Sequence, residues 1–195
     1  MRELEYEYYL ALRAKHPKAA VLTEVTVTDE EASKVYHSAL AARSPYYRRK
    51  FKKRGIECDA VVPDGYDPST AKTRRRIDYL IFEGQTVTAV EMKVSRADFK
   101  RDTEEKRQAW KRITNRFIYL TPKGLLKPEE IPAGCGLWEM TPTGQIVTVK
   151  KATRNPHPEP MPASMVKYFA WRAFMAEKPS IAIRRSTSRV KRRRR

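Results

Sequence analysis

Cysteine is scarce in this sequence, and its placement argues against one common class of nucleic-acid-binding protein. The two cysteines, Cys58 and Cys135, lie far apart, and neither belongs to a Cys-x-x-Cys pair or lies near clustered histidines. A zinc finger needs several Cys or His ligands at short spacings, so this pattern argues against one. Two interpretations of the thiols remain open, a single disulfide or reduced thiols in a cytosol, and the second is simpler.

Long apolar runs are also absent. No stretch approaches the roughly 20 apolar residues that a membrane-spanning helix needs, and the first ten residues, MRELEYEYYL, lack the apolar core of a signal peptide. We therefore expect a soluble protein with no membrane partner, in the cytoplasm of a bacterial or phage-infected cell.

Negative charge is in short supply relative to positive charge. The 195 residues include 41 Lys and Arg against 23 Asp and Glu, so the formal net charge is +18. This excess is larger than solubility requires and predicts a polyanionic partner, with nucleic acid as the first candidate and an anionic membrane surface as the second. The alternative is a soluble basic protein whose tail binds other molecules non-specifically. A hydrophobic content of 41% nevertheless predicts a folded body.

Two segments concentrate the positive charge. The C-terminal RRSTSRVKRRRR has eight cations and no acid, and the rest of the chain still carries +10. We expect this tail to be disordered alone and to add salt-sensitive affinity for DNA, with Arg192 and Arg193 among its contacts. The second segment, SPYYRRKFKKRG, interleaves cations with three aromatic residues that could stack on bases, Tyr46, Tyr47 and Phe51. Its candidate phosphate contacts are Arg48, Arg49, Lys50, Lys52, Lys53 and Arg54. The alternative for this second segment is a solvated helix end.

Hydrophobic periodicity predicts an α/β protein with a central mixed sheet flanked by helices. A helix, a strand and an excursion at 29–75 precede a strand hairpin around EGQT. Helical residues 96–112, in one or two pieces, lead to the strand RFIYLTP and to a second strand pair within 134–151. A proline-rich linker, 156–162, precedes a helix at 163–178 and the tail at 179–195.

The hairpin carries the most informative residues. Side chains alternate along a strand, so Glu91 and Lys93 in AVEMKV share one face. If Gly84 and Gln85 form the turn, Asp78 lies directly across from Glu91, with Cβ atoms about 4.5–5.5 Å apart. Two carboxylates at that distance repel one another, and a divalent cation between them removes the repulsion.

Lys93 adds a cation on the same face, where it could orient a water or offset developing negative charge. The three side chains together suit metal-dependent phosphodiester hydrolysis. The alternative is an edge hairpin with polar residues facing water. The apolar residues of IDYLIF and VTAVEMKV on both faces argue against it, because such strands are usually covered on both sides.

The stretch RRIDYLIF…AVEMKVSRADFKRD resembles the PD-(D/E)XK nuclease superfamily and, more narrowly, its MmcB-like DNA-repair proteins. The segments VLTEVTV, NRFIYLTP and CGLWEM resemble further strands of that family in the same order, so the resemblance covers residues 20–28 and 74–152. It implies a restriction-endonuclease-like core within a nuclease domain at 1–155. The chain departs from the family pattern in two places, the insertion at 29–75 and the basic tail. Because either could alter substrate choice, the resemblance does not define the substrate.

By this resemblance, Asp78 and Glu91 would hold Mg²⁺ or Mn²⁺ with the backbone carbonyl of Met92, and Lys93 would be the catalytic lysine. Accessory polar residues would lie nearby, and the candidates are Glu24, Ser95, Asp98, Lys106 and Gln108. For Asp98 the alternative is a role in capping or bracing the following helix. For Lys106 and Gln108 it is a solvent-facing charge or amide.

The residues and the resemblance together predict a Mg²⁺- or Mn²⁺-dependent DNA nuclease of DNA repair or phage-type DNA metabolism, with a helicase or polymerase as a further partner. One alternative is a non-catalytic nucleic-acid-binding protein on a nuclease-like fold. A second is a packaging protein that condenses nucleic acid through its tail. The sequence leaves open the choice between endonuclease and exonuclease, DNA and RNA, and the oligomeric state.

Overall fold

A computed structural model describes residues 3–176 of the chain. The tail at 179–195, with the predicted DNA contacts Arg192 and Arg193, lies outside the described residues, as does the end of the helix expected at 163–178. The chain divides into two compact units between Glu159 and Pro160. In the second unit, residues 163–176 are helical.

The first unit alternates helices and strands along the chain. Its helices are α1 (Glu3–Lys15), α2 (Glu30–Arg43), α3 (Pro45–Lys53), α4 (Arg96–Lys100) and α5 (Glu104–Ile113). Its strands are β1 (Ala20–Thr28), β2 (Arg74–Glu83), β3 (Thr86–Met92), β4 (Arg116–Pro122), β5 (Gly136–Met140) and β6 (Ile146–Lys150). Short 3₁₀ turns cover Pro68–Thr70 and Pro128–Glu130.

The six strands form one mixed sheet in the order β1-β2-β3-β4-β5-β6. Strands β3, β4 and β5 are parallel, and the remaining neighbours are antiparallel. A parallel pair needs a crossover connection, and α4 and α5 supply it between β3 and β4. The predicted α/β fold with a central mixed sheet flanked by helices is therefore confirmed.

The hairpin of β2 and β3 has the register expected from its turn. Glu83 pairs with Thr86 across Gly84 and Gln85, and Tyr79 pairs with Val90 further along the strands. Gly84 has a φ of 56°, which a two-residue hairpin turn requires and glycine adopts without strain.

Helices cover both faces of the sheet. Tyr8 and Leu12 of α1 pack with Tyr79, Val90 and other residues on one face. On the opposite face α5 packs against β2 and β4 through its apolar side, where Trp110 is fully buried. Glu91 follows Val90 in β3, so alternation places its side chain on the α5 face.

The segment that connects β1 to β2, the predicted insertion at 29–75, begins with a helix. Asp29 caps α2 by accepting a hydrogen bond from the Ala32 amide, and it also accepts one from Arg75 Nε at 2.9 Å. The same carboxylate therefore ties the start of α2 to the edge of β2. Within residues 3–176, no helix is long and apolar enough to cross a membrane.

Candidate active site

The three residues predicted as a catalytic group lie on the α5 face of the sheet. The β2–β3 register, extended by one residue, places Asp78 opposite Glu91. Glu91 in turn pairs with Tyr119 of β4. Lys93 follows β3 directly, and its amide donates to the Leu120 carbonyl at 3.0 Å, which fixes its backbone to β4. The sheet thus brings together Asp78, Glu91 and Lys93.

Asp78 lies in a half-buried position between β1 and β3. Its Oδ2 accepts a hydrogen bond from the Met92 amide at 2.8 Å. Burial, followed by the negative charge of Glu91, raises the pKa of Asp78 to about 6. Met92 therefore contacts this site through its N–H group, and the expected role of its carbonyl as a metal ligand remains a prediction.

Glu91 is a buried carboxylate, and among the described residues only one of its two oxygens accepts hydrogen bonds. Its Oε1 accepts hydrogen bonds from Lys93 Nζ at 3.0 Å and from Lys106 Nζ. Its Oε2 is buried without a hydrogen-bond partner among the residues described. A buried carboxylate oxygen usually has a partner, so an unbonded one marks a position where a ligand could bind.

Lys93 is held between two carboxylates. Its side chain is only 5% exposed, and Nζ lies 3.0 Å from Glu91 Oε1 and 3.5 Å from Asp102 Oδ1. Burial acts to lower the pKa of Lys93, but Glu91, Asp102 and Asp98 together raise it above its ordinary value. Glu91 and Asp102 thus favour the protonated form of the Lys93 side chain.

Sequence reasoning did not single out Asp102, which follows α4 in the crossover. Its side chain is 1% exposed, and its Oδ2 accepts hydrogen bonds from Tyr119 and from Arg107 Nη1, the latter at 2.8 Å. Asp102 ends the stretch RADFKRD, so the resemblance contained it without indicating a role. We call six charged residues the buried charge cluster: Asp78, Glu91, Asp102, Lys93, Lys106 and Arg107.

Two of the accessory candidates form local interactions on the crossover. Ser95 caps α4, because its hydroxyl accepts from the Asp98 amide at 3.1 Å. Asp98 lies inside α4 and pairs with Arg101 at 3.4 Å. The hydroxyl that caps the helix is thus that of Ser95, while the Asp98 carboxylate braces the helix through Arg101.

The two candidates on α5 point to different partners. Gln108 is exposed, and its amide donates to Glu104 on the same helix. Lys106 reaches Glu91 in the buried charge cluster. Of this pair, therefore, Lys106 is the residue that lies in the candidate site.

Glu24 has a left-handed backbone conformation in β1. Its φ is 51°, which is rare for a residue other than glycine. Its carboxylate lies 3.3 Å from Arg76 and is 61% exposed. With Asp78 it also lines a cavity of about 130 Å³. Glu24 therefore lies beside Asp78 at the solvent-accessible edge of the site.

The site contains two neighbouring carboxylates, those of Asp78 and Glu91. Within the described part of the chain, no group of three or more His, Cys, Asp or Glu residues could hold a metal. Mg²⁺ is often bound by only one or two carboxylates, with water and substrate phosphates as the other ligands. Asp78 and Glu91 provide two carboxylates, and Glu91 Oε2 is buried without a hydrogen-bond partner among the described residues.

The predicted DNA-binding segment forms the amphipathic helix α3 and the residue after it. Five of its six cations are exposed, Lys50 is half-buried, and Lys50 Nζ lies 5.6 Å from the ring centre of Tyr46. Tyr46 is 58% exposed, whereas Phe51 is 6% exposed and packs against Tyr47 and His37. The expectation that Phe51 could stack on a base is therefore wrong, because its ring is in the core.

The raised pKa of Asp78 predicts an unusual pH dependence of stability. The folded carboxyl has a pKa of about 6, against an ordinary value of 3.8. Between these values the folded state binds more protons than the unfolded state, so this group makes stability fall as pH rises. We expect wild type to lose about 3 kcal/mol relative to Asp78→Asn between pH 3.5 and pH 7 in EDTA.

Urea unfolding of both proteins across this pH range measures the effect. Asn retains an acceptor for the Met92 amide and lacks the titrating group, so it is the matched reference. A free-energy difference between the two proteins that stays constant with pH would contradict the prediction.

Comparisons with known proteins provide no family for this chain. No protein-family model matches it, and no curated protein matches it significantly. A solved structure of a protein of unknown function from Silicibacter pomeroyi is similar, with 22% identity and a TM-score of 0.41 over 69% of this chain and 83% of that chain.

Proposed function

We propose that this protein is a Mg²⁺- or Mn²⁺-dependent DNA nuclease that hydrolyses phosphodiester bonds in DNA repair or phage-type DNA metabolism. One observation carries the proposal. A buried hairpin aligns Asp78 with Glu91, positions Lys93 beside them, and leaves one oxygen of Glu91 without a hydrogen-bond partner among residues 3–176. The proposal is in keeping with the resemblance to PD-(D/E)XK nucleases.

The chemistry follows from the charges of these residues. A divalent cation held by Asp78 and Glu91 would supply positive charge at the scissile phosphate and acidify a bound water. The raised pKa of Lys93 favours its protonated form, which would contribute a positive charge and a hydrogen-bond donor for developing negative charge. Asp102 Oδ1 forms a second ion pair with the Lys93 ammonium, at 3.5 Å.

The exposed cations of α3 would hold the DNA backbone outside the site. This helix has no acid in its first turn and three lysines in its last, and Tyr46 offers an exposed ring beside them. Such a surface binds phosphates without reading sequence. We therefore propose that target choice depends on DNA structure or on a partner such as a helicase or polymerase.

The direct test is cleavage of supercoiled plasmid and of labelled single-stranded, duplex and branched DNA. Wild-type protein is compared in Mg²⁺, in Mn²⁺ and in EDTA. Cleavage that needs the metal is the expected result, and the cleaved substrate identifies the preferred DNA structure. Binding without cleavage of any substrate in either metal would refute the nuclease proposal for the isolated protein.

A non-catalytic nucleic-acid-binding protein is the second candidate, and one observation favours it. In the buried charge cluster, Glu91 pairs with Lys93 and Lys106, and Asp102 pairs with Lys93 and Arg107, so these two carboxylates are compensated without a metal. In that case Asp78 and Glu91 would have a structural role. The cleavage assay separates the two candidates, because only the nuclease turns over.

Deleting residues 184–195 tests whether the basic tail is the whole source of function, as a packaging protein would require. We expect the deletion to weaken DNA binding and to lower the slope of log affinity against log salt by about 0.9 for each phosphate that the tail neutralises. We also expect metal-dependent cleavage to persist at saturating protein, because the buried charge cluster does not include the tail.

Filter binding at several salt concentrations and a cleavage assay measure the two effects separately. A full-length variant in which glutamine replaces every Arg and Lys of residues 184–195 is the control. It removes the same positive charge without shortening the chain. If cleavage disappears at saturating protein, the tail contributes to catalysis and this division of roles is wrong.

A further inference from the structure

Two lysines share one oxygen of Glu91, but the structure holds them very differently. Lys93 is 5% exposed, has its backbone amide bonded to β4, and lies between Glu91 and Asp102. Lys106 contacts the same Oε1 of Glu91, and its side chain is 26% exposed. Lys93 is therefore a fixed part of the cluster, whereas Lys106 reaches it from the solvent side.

The backbone of Lys106 is anchored, whereas, among the described residues, the Lys106 side chain is held only by the contact of its ammonium with Glu91. Thr103 caps α5 by accepting the Lys106 amide at 3.4 Å, so the residue lies in the first turn of a stable helix. Its ammonium is carried on a flexible four-carbon stem. The ammonium can thus leave Glu91 by side-chain rotation, without movement of α5 or of the sheet.

The charges of the buried charge cluster give a reason for the Lys106 ammonium to leave Glu91 when a metal binds. With all six groups ionised, the buried charge cluster is neutral. A divalent cation beside Asp78 and Glu91 would give it two excess positive charges in a poorly solvated site. Departure of Lys106 removes one of them, and the single negative charge of a phosphodiester removes the other.

We propose that Lys106 is a built-in counterion of Glu91 that competes with the divalent cation for the site. This inference rests on the metal site of the proposed function and adds a residue that sets its metal affinity. In the absence of metal, Lys106 stabilises the carboxylate. When metal is present, the displaced ammonium is positioned at the solvent side of the site, where a substrate phosphate would accept it.

The test measures Mn²⁺ binding to the full-length protein without DNA. The electron paramagnetic resonance signal of free Mn²⁺ reports how much of the metal is unbound. We expect Lys106→Gln to bind Mn²⁺ about tenfold more tightly than wild type, since it removes a charged hydrogen bond and a repulsive cation. Lys106→Arg retains the charge and is expected to bind like wild type. Lys111→Gln is the matched control, because Lys111 lies on α5 near the Ala133 carbonyl and not at Glu91.

Thermal unfolding provides a second measurement. Mn²⁺ should raise the melting temperature of Lys106→Gln, relative to EDTA, more than that of wild type or Lys111→Gln. Lys106→Met repeats the comparison if Gln perturbs the fold. Equal or weaker Mn²⁺ affinity in Lys106→Gln and Lys106→Met would overturn this inference while leaving the proposed nuclease intact. No Mn²⁺ binding by wild type or any variant would overturn both.

Discussion

Replacing Glu91 by Gln is expected to lower metal-dependent DNA cleavage by about 10³-fold or more. The substitution keeps the shape of the side chain but removes one of two carboxylates at the proposed cation site, and a catalytic metal contributes several kcal/mol to a phosphoryl transfer. Gln also keeps an oxygen that can accept from Lys93, which is in turn still paired with Asp102, so the fold should persist.

Three measurements make this prediction specific. Cleavage rates give the size of the loss, calorimetric titration with Mg²⁺ shows whether cation binding is lost with it, and filter binding in EDTA shows whether DNA affinity is retained. Glu129→Gln is the matched control, because it removes the same charge from an exposed position on the Pro128–Glu130 turn. If Glu91→Gln cleaves like wild type, the proposed site is wrong.

Replacing Lys93 by Met should lower cleavage by about 10²–10³-fold without loss of cation binding. The substitution removes a fixed positive charge from the point where negative charge would develop, and donors of this kind typically contribute such factors. Glu91 keeps Lys106 as a partner, and Asp102 keeps Arg107 and Tyr119. Neither carboxylate is therefore left alone in the core.

The expected pattern differs from that of Glu91→Gln. The Lys93→Met protein should bind Mg²⁺ at least as tightly as wild type, because a nearby cation has been removed, and should bind DNA normally. Lys123→Met, at an exposed position after β4, controls for the loss of one lysine. Loss of Mg²⁺ binding in Lys93→Met would mean that this residue organises the carboxylates, and the catalytic role would be withdrawn.

Local rules were sufficient for the hairpin. Gly84 and Gln85 define a two-residue turn, and this turn fixes every pair between β2 and β3, including the position of Asp78 opposite Glu91. Strand alternation then places Glu91 and Val90 on opposite faces. Each of these inferences concerns residues close together in sequence, which is why they could be predicted.

The remaining members of the cluster could not be found in this way. Lys106 reaches Glu91 of β3, and Asp102 reaches Lys93, only because the crossover folds back over the sheet. Arg107 and Tyr119 then join the cluster through Asp102. Their positions depend on how α4 and α5 pack between parallel strands. No spacing in the sequence indicates that packing.

The side chains of helix α3 also differ in exposure in a way that the sequence did not predict. The run YYRRKFKKR predicts exposed cations and available rings alike, yet Tyr46 is exposed while Phe51 packs into the core beside His37. Helical periodicity fixes which residues share a face. Only the packing of α3 on α2 decides which face is buried.

The sequence by itself therefore determined the fold class, the strand hairpin and the pairing of Asp78 with Glu91, since turn chemistry and strand alternation act over a few residues. The tertiary structure alone decided that Lys93 is clamped by a second carboxylate, that Lys106 lies on Glu91, and that Glu24 has a left-handed backbone beside the site. The two lysine contacts arise where the crossover packs on the sheet and brings distant segments together, so their physical cause is tertiary packing.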